Sequence, residues 1–410
     1  MQTQLADFIR NTPEGLEAES ILRKCVHCGF CTATCPTYQL LGDDLDSPRG
    51  RIYLMKRALE GGEITERTRV HLDRCLTCRA CETACPSGVK YGRLVDIGRS
   101  LVESKTTRAP WDRFVRAILG FALPRKTLFG TALKLGQLVR GVLPRGLRAK
   151  VPPRAAPAGA WPAARHARKM LALGGCVQPV LAPSINAAAA RVLDRLGISL
   201  IEAPDAGCCG ALRFHLNDQP AGLGDMRRLI DAWWPLAEKD VEAICITASG
   251  CGVTIREYGH LFANDPDDRV RAARISLLAK DIAEVLTEEA PALETLLGER
   301  KSRGPVAFHS PCTLQHGQQI RGVVEFLLQR AGYEVTRVAD GHACCGSSGT
   351  YSILQPELSQ QLRSRKIAAL EAGEPAVIAT ANIGCLAHLQ GGTQRPVRHW
   401  IELLDEALRE

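Results

Sequence analysis

Residues 25–36 read CVHCGFCTATCP, and residues 75–86 repeat the pattern as CLTCRACETACP. Both runs follow the spacing C-x2-C-x2-C-x3-C-P, in which three thiolates can surround one face of an iron–sulfur cubane while backbone N–H groups point at its sulfides. Structural zinc usually joins two separated C-x2-4-C pairs, so the doubled run favours iron. We therefore predict two [4Fe-4S] clusters in this part of the chain.

The fourth cysteine of each run is expected to bind the cluster of the other run, as in two-cluster ferredoxins. The predicted ligand sets are Cys25, Cys28, Cys31 and Cys85 for the first cluster, and Cys75, Cys78, Cys81 and Cys35 for the second. Because each run donates a ligand to its neighbour's cluster, the two clusters would lie close enough to exchange electrons.

The segment between the two runs predicts helices. Ser47 is a suitable N-cap, Pro48 suits the first turn, and the first helix would end at Gly61. An all-helical ferredoxin domain over residues 1–105 follows. We interpret Arg49 and Arg51 as surface charges at the helix start, with proximity to a cluster as the alternative.

Composition and cysteine placement limit the class of protein. The 410 residues include 17 cysteines, and 45% of residues are hydrophobic and 23% charged, which excludes a largely disordered chain. The N-terminal residues show neither a basic nor an apolar region typical of an export signal. We therefore expect a reducing compartment, in which clustered thiols bind metal or do redox chemistry. The apolar stretch at residues 170–190 is too interrupted by glycine and proline to predict a membrane span.

A basic segment separates the two groups of cysteines. Residues 113–154 contain ten Lys or Arg and no acid, with Leu and Phe between the charges. Pro124 and Pro144 would break the segment into short helices. Such a segment suits either an anionic membrane surface or a partner subunit, and the sequence leaves both open. No recognised nucleic-acid motif accompanies the charges, so we expect no nucleic-acid partner. Residues 106–167 are thus predicted to form a basic amphipathic segment and a linker.

The remainder of the chain contains an internal repeat. Each copy has a cysteine, then Cys-Cys-Gly with its first cysteine 32 residues later, and then another cysteine about 40 residues further on. We call the copies the first CCG module (168–303) and the second CCG module (304–410). Their repeated cysteines are Cys176, Cys208, Cys209 and Cys251 in the first copy, and Cys312, Cys344, Cys345 and Cys385 in the second.

Each copy alternates short apolar strands with amphipathic helices, which predicts a parallel α/β sheet. The predicted fold class is therefore α plus α/β: a helical two-cluster ferredoxin domain followed by two duplicated parallel α/β CCG modules. The repeated cysteines follow predicted strands, and parallel sheets place their ligands at the carboxyl ends of strands. We expect the four thiols of each copy to converge on one pocket.

Three interpretations of these converging thiols stay open. They can hold a third and a fourth iron–sulfur cluster, they can hold zinc, or they can act as reduced thiols or a vicinal disulfide. His309, His342 and His388 lie near them in sequence as candidate ligands or proton carriers. Cys245 has no counterpart in the second copy and is expected to be a buried apolar thiol.

The order of two C-x2-C-x2-C-x3-C-P runs and two CCG repeats resembles the iron–sulfur subunits of respiratory dehydrogenases. Within that group, DAWWP, PCTLQH and VRHWIELL look most like the iron–sulfur subunits of bacterial glycolate oxidase (glycolate dehydrogenase). In the fuller pattern of this group, each CCG repeat ends in a C-x2-C pair. Here Ala248 and Asn382 stand three residues before Cys251 and Cys385, so one expected cluster ligand is missing from each copy.

The resemblance implies a role in electron transfer. A flavoprotein subunit carrying FAD would oxidise glycolate to glyoxylate with a second flavin-domain subunit, and this chain would pass electrons toward the quinone pool. It also implies a cytoplasmic location, peripheral to the inner membrane. The chain lacks a Gly-rich dinucleotide fingerprint, so substrate oxidation is expected on another chain and no catalytic residue is assigned here.

Other functions remain open at the level of sequence. The substrate of the complex can be lactate or glycerol 3-phosphate. Alternatively, the CCG modules can themselves reduce a disulfide or a quinone, or the chain can be a zinc-stabilised scaffold.

Overall fold

The computed structural model describes residues 1–142, 144, 151–239, 241–298 and 301–409. Its N-terminal part is helical, as predicted. Ser47 caps the helix that begins at Pro48, and its hydroxyl accepts a hydrogen bond from Gly50 N at 3.0 Å. The helices and 3-10 turns of the ferredoxin domain are Asp7–Arg10, Pro13–Lys24, Phe30–Thr32, Pro36–Leu41, Asp44–Asp46, Pro48–Leu59, Glu66–Asp73, Ala80–Thr83 and Tyr91–Lys105.

Two helices on either side of Pro124 follow this domain, Pro110–Ala122 and Lys126–Leu138. We call this pair the basic helix pair. Positions 143 and 145–150 of the predicted basic segment lie outside the described residues. Residues 151–165 contain neither helix nor strand, as expected of a linker, and Trp161 Nε1 donates to Leu200 O at 3.0 Å to attach this linker to the sheet.

The first CCG module contains a four-stranded parallel sheet. Its strands are β1 (Arg168–Ala172), β2 (Ile198–Glu202), β3 (Ala243–Ile246) and β4 (Ala279–Asp281), in the order β2-β1-β3-β4. Its helices are Gln178–Leu181, Ser184–Arg195, Ala211–His215, Gln219–Ala237, Ser249–Arg256, Tyr258–Leu261, Arg269–Leu278, Ile282–Glu288 and Ala290–Leu297.

The second CCG module repeats this topology. Its strands are β5 (Pro305–His309), β6 (Glu334–Thr336), β7 (Val377–Thr380) and β8 (Val397–His399), in the order β6-β5-β7-β8 and again all parallel. Its helical segments are Thr313–Gly317, Val323–Arg330, Tyr351–Leu354, Pro356–Glu371, Ile383–Gln390 and Trp400–Arg409. The predicted fold class is confirmed.

One hydrophobic core runs through both CCG modules. It joins Leu193 of the first copy to Val306 and the fully buried Trp400 of the second. At the polar edge of the same junction, the guanidinium of Arg191 donates to the carboxylate of Asp405 at 2.7 Å. The two copies are therefore packed on each other as well as repeated in sequence.

Candidate metal centres

The first cysteine run wraps a concave cavity that opens to solvent, with about 450 Å³ of empty space including the opening. Its walls include Cys25, Cys28 and Cys31 of the first run and Cys85 of the second, the set expected from the sequence to share a cluster. The loop closes because His27 and Gly29 adopt left-handed backbone conformations. The equivalent positions of the second run, Thr77 and Arg79, adopt the same conformation, so the duplicated spacing produces a duplicated loop.

A neighbouring cavity, with about 310 Å³ of empty space including its opening to solvent, lies against the second run. The structure brings together in its walls the other expected set, Cys35, Cys75, Cys78 and Cys81. Tyr91 lines both cavities, so the two sites adjoin. Cys81 lines both cavities, so five thiols surround the first and four surround the second. Each cavity thus has at least the four thiols, drawn from both runs, that a thiolate-bound iron–sulfur cluster needs.

Hydrogen-bond donors surround the sulfurs of the second cavity. Thr77 N donates to Cys75 Sγ at 3.4 Å, and the hydroxyl of Tyr91 donates to the same sulfur at 3.6 Å.

Burial raises the pKa of Cys31 to about 11 and also raises the pKa of Cys81. These thiols therefore hold their protons until a metal replaces them.

Arg51 is the residue of this region that the sequence interpretation placed wrongly. It is 1% exposed rather than a surface charge, and its guanidinium lies 4.0 Å from Cys35 Sγ and 3.1 Å from Asp46 Oδ1. The segment 36–46 covers this face of the helix, which a helical pattern alone cannot reveal. Arg49 is partly exposed and pairs with Asp44, as expected of a surface charge, but it also lines the first cavity, as the alternative interpretation expected.

The first CCG module gathers its four thiols at the carboxyl ends of β1, β2 and β3. Cys176 contacts Cys208, and Cys209 contacts both Cys208 and Cys251. The hydrogen bond between the first two raises the pKa of Cys176 and lowers that of Cys208. Cys245 is buried in β3 away from this group, as predicted, and burial raises its pKa.

The second CCG module gathers the equivalent thiols in the same way. Cys312 contacts Cys344, and Cys345 contacts both Cys344 and Cys385. In addition, Cys312 contacts Cys78 of the ferredoxin domain. The thiols of the second module therefore adjoin the second ferredoxin cavity.

The three candidate histidines have different surroundings. A ring nitrogen of His309 lies within 4.8 Å of the Sγ atoms of Cys345 and Cys385. His388 lies 3.2 Å from Ser359 Oγ through its Nε2. The carbonyl oxygen of His342 lies 3.0 Å from His316 Nε2. Among the described residues only His309 is grouped with module thiols in a potential metal site.

Sequence reasoning missed a buried lysine beside the second thiol group. Lys366 is 3% exposed, and its Nζ donates to Asp340 O at 2.8 Å. Burial lowers its pKa, while the nearby Cys312 and Cys344 oppose that shift. A single lysine in a helix rich in charged residues gives no sequence signal for such a position.

Polar contacts attach the ferredoxin domain to the second module. Ser348 Oγ donates to Leu76 O at 2.6 Å, and the hydroxyl of Tyr351 donates to Arg74 O at 3.0 Å. Thr83 Oγ1 lies 3.0 Å from His316 Nδ1. The two carbonyls belong to residues on either side of Cys75, so these bonds fix the position of the second cysteine run.

The helices within the described ranges are each too short or too polar to traverse a bilayer.

Comparison with known proteins identifies both parts of the chain. Residues 21–89 match the family model described as "4Fe-4S dicluster domain", and residues 171–256 and 306–390 each match "Cysteine-rich domain".

The full length also has curated relatives. The chain is 53% identical to "Glycolate oxidase iron-sulfur subunit" of Escherichia coli over 100% of both chains. It is 31% identical to "Probable glycolate oxidase iron-sulfur subunit" of Bacillus subtilis over 92% of this chain and 90% of that one. "Lactate utilization protein A" of Bacillus velezensis is 26% identical over 56% of this chain and 96% of its own length.

Proposed function

The chain belongs to the family of glycolate oxidase iron–sulfur subunits, and on that premise we propose that it carries electrons within a glycolate-oxidising complex. In this proposal a partner flavoprotein subunit oxidises glycolate to glyoxylate. Electrons then pass through two [4Fe-4S] clusters of this chain toward the quinone pool.

The observation that carries the proposal is the pair of adjoining thiol-lined cavities. The second combines Cys35 of the first run with three thiols of the second run, and the first combines three thiols of the first run with Cys81 and Cys85 of the second. Tyr91 lines both cavities. A flavin reduced by a hydride holds two electrons, and each cluster, when bound, would accept one. Two neighbouring sites thus suit the unloading of a partner flavin in two single-electron steps.

The chain's own residues would hold and shield these clusters. We propose Cys25, Cys28, Cys31 and Cys85 as ligands at the first site, and Cys35, Cys75, Cys78 and Cys81 at the second. Tyr91 O–H and Thr77 N–H would stabilise the Cys75 thiolate, and the buried Arg51 would offset negative charge at the second site.

The two sites differ in what they face. Beside the first cavity Cys28 is exposed, and the apolar side chains of Val26 and Phe30 are 69% and 65% exposed. The second cavity instead adjoins the thiols of the second CCG module through Cys78 and Cys312. This arrangement supports docking of the flavoprotein subunit at the first site. A second flavin-domain subunit would complete the hetero-oligomer.

The basic helix pair supports peripheral attachment at the cytoplasmic face of the inner membrane. Its inner side packs on the first CCG module, where Arg213 Nε donates to Gly120 O at 2.8 Å. Its outer side exposes large apolar side chains among basic ones, as in helices that lie in an anionic lipid surface. The exposed apolar residues are Trp111, Phe114, Ile118, Phe121, Leu128, Leu135 and Leu138.

Co-sedimentation with vesicles tests the membrane proposal. The complex should sediment with vesicles containing anionic lipid and much less with zwitterionic ones, and Phe114→Glu with Leu135→Glu should abolish the difference. Phe326→Glu, at an exposed phenylalanine on the second module, is the matched control and should change nothing. Absence of lipid-dependent sedimentation by the unaltered complex would contradict membrane attachment.

Oxidation of lactate by the complex is the second candidate function. The match to "Lactate utilization protein A" covers 56% of this chain and favours it, but at lower identity than the glycolate oxidase relatives. Comparing flavin reduction by glycolate and by lactate in the purified complex separates the two. Faster reduction by lactate would displace glycolate as the proposed substrate.

Stepwise electron transfer is tested by single cysteine replacements in the complex. With Cys28→Ser or Cys78→Ser, glycolate should still reduce the flavin, whereas reduction of a quinone analogue should fall at least tenfold. Cys245→Ala replaces a buried thiol outside the cavities and should leave both rates unchanged. The isolated chain should not oxidise glycolate. Quinone reduction that survives both serine variants would contradict the proposed route.

A further inference from the structure

The two CCG modules differ at one position of chemical consequence. The residue three before the first cysteine is Leu173 in the first module and His309 in the second. Both side chains are buried at the end of the first strand of their sheet, with exposures of 4% and 2%. The duplication therefore places an imidazole in one thiol pocket and an isobutyl group in the other.

His309 is held in an orientation that leaves one ring nitrogen free. Its Nδ1 lies 3.0 Å from the hydroxyl of the fully buried Thr380, and its Nε2 has no hydrogen-bond partner among the described residues. A buried nitrogen without a hydrogen-bond partner is costly, unless a bound ligand satisfies it.

His309 belongs to a group of metal-ligating side chains. One donor atom each from His309, Cys345 and Cys385 lie within 4.8 Å of one another. Tetrahedral zinc with Zn–S bonds of about 2.3 Å holds its ligands about 3.8 Å apart, so a small contraction closes the group around one ion. A cubane instead binds each thiolate to a different iron, which requires a wider spacing.

A neighbouring side-chain amide can stabilise Cys385 as a thiolate. Asn382 Nδ2 donates to Cys385 Sγ at 3.5 Å, the kind of contact from outside the ligand set that stabilises a bound thiolate. In the tautomer whose Nδ1–H donates to the Thr380 hydroxyl, the lone pair of Nε2 is available to a metal ion. Imidazole and thiolate ligands together suit Zn²⁺.

We propose that the second CCG module binds one Zn²⁺ ion through His309, Cys345 and Cys385, and that the first CCG module does not. This zinc site would be additional to the two iron–sulfur clusters proposed for this chain. Zinc and iron are measured separately, so an absence of zinc can be distinguished from an absence of the iron–sulfur clusters.

Metal analysis of the full chain, purified without oxygen, tests the proposal. The unaltered protein should contain about one zinc per chain, and His309→Leu and Cys385→Ser should contain less than a fifth of that. His309→Leu introduces the residue that the first module carries at this position. Cys251→Ser is the matched control in the first module and should keep its zinc, while His309→Cys should retain zinc by supplying another ligand.

A second readout covers the case in which a variant fails to fold. X-ray absorption at the zinc edge of the unaltered protein should show nitrogen and sulfur in the first coordination shell. Any of three results would overturn the site: no zinc after incubation with Zn²⁺, full zinc in folded His309→Leu, or equal loss in Cys251→Ser.

Discussion

Arg49 and Arg51 occupy the same helix turn but have opposite environments. Arg49 pairs with Asp44 at the surface, whereas Arg51 is enclosed between Thr37, Asp46 and the sulfur of Cys35. The difference depends on the segment 36–46, which returns over the helix after the first cysteine run. The cysteine spacing predicts the ligand sets, but the charges beside them depend on tertiary packing.

Replacing Arg51 should lower the reduction potential of one cluster. Adding an electron makes a cluster more negative, so loss of a nearby buried cation disfavours reduction. We expect Arg51→Gln to shift the second cluster to lower potential, Arg51→Lys to shift it less, and Arg49→Gln, at the first cavity, to leave the second cluster unchanged. A redox titration followed by EPR measures this, and equal shifts of the second cluster in the Arg49 and Arg51 variants would contradict the assignment.

At the scale of elements, local signals predict the elements that carry the cysteines. Ser47 and Pro48 begin their helix as expected, and the apolar runs of β1, β3, β5 and β7 become strands. The edge strands β4 (AKD) and β8 (VRH) were not predicted, because three residues with charges in them show no strand pattern. Pairing with β3 and β7 defines them, and that information is not local.

Removing the Ser47 cap should destabilise the helix that lies between the two cysteine runs. Ser47→Ala leaves Gly50 N–H without its acceptor, so we expect the free energy of unfolding to fall by about 1 kcal/mol. Denaturant unfolding followed by circular dichroism measures it. An unchanged transition midpoint would show that the cap contributes nothing.

At the scale of the whole molecule, the sequence predicts two repeats but not their common core. Helices Ser184–Arg195 and Trp400–Arg409 belong to different copies and pack on each other. A repeat pattern shows which helix faces are apolar, but not that the faces of two copies meet. For the same reason the contact of Cys312 with Cys78 was not predicted, although both cysteines were candidate ligands.

Truncating Trp400 should therefore weaken both CCG modules together. Trp400→Ala removes a fully buried side chain from the shared core, at a cost of about 3–5 kcal/mol. Hydrogen exchange should show lost protection in β1 as well as in β5. The exposed Trp111→Ala is the matched control. Loss confined to the second module would contradict a shared core.

The junction between the modules should also weaken in acid. His399 is fully buried; its Nε2 donates to Thr247 O at 2.8 Å, and burial lowers its pKa to about 4. In the unfolded chain His399 takes up a proton near pH 6.5, whereas the folded protein keeps the ring neutral down to about pH 4. The free energy of unfolding is therefore unaffected by His399 above pH 6.5 and falls by about 3 kcal/mol as the pH is lowered toward 4. Unfolding at pH 7.5 and 4.5 should show a shallower pH dependence in His399→Gln, and equal slopes would contradict this assignment.

The central claim is that the eight N-terminal cysteines hold two neighbouring [4Fe-4S] clusters. Iron and sulfide analysis of the chain purified without oxygen, with low-temperature EPR after reduction, tests it most directly. We predict about eight irons and eight sulfides per chain, and the EPR signal of two interacting clusters. A protein that stays colourless and free of iron after anaerobic reconstitution would contradict the account.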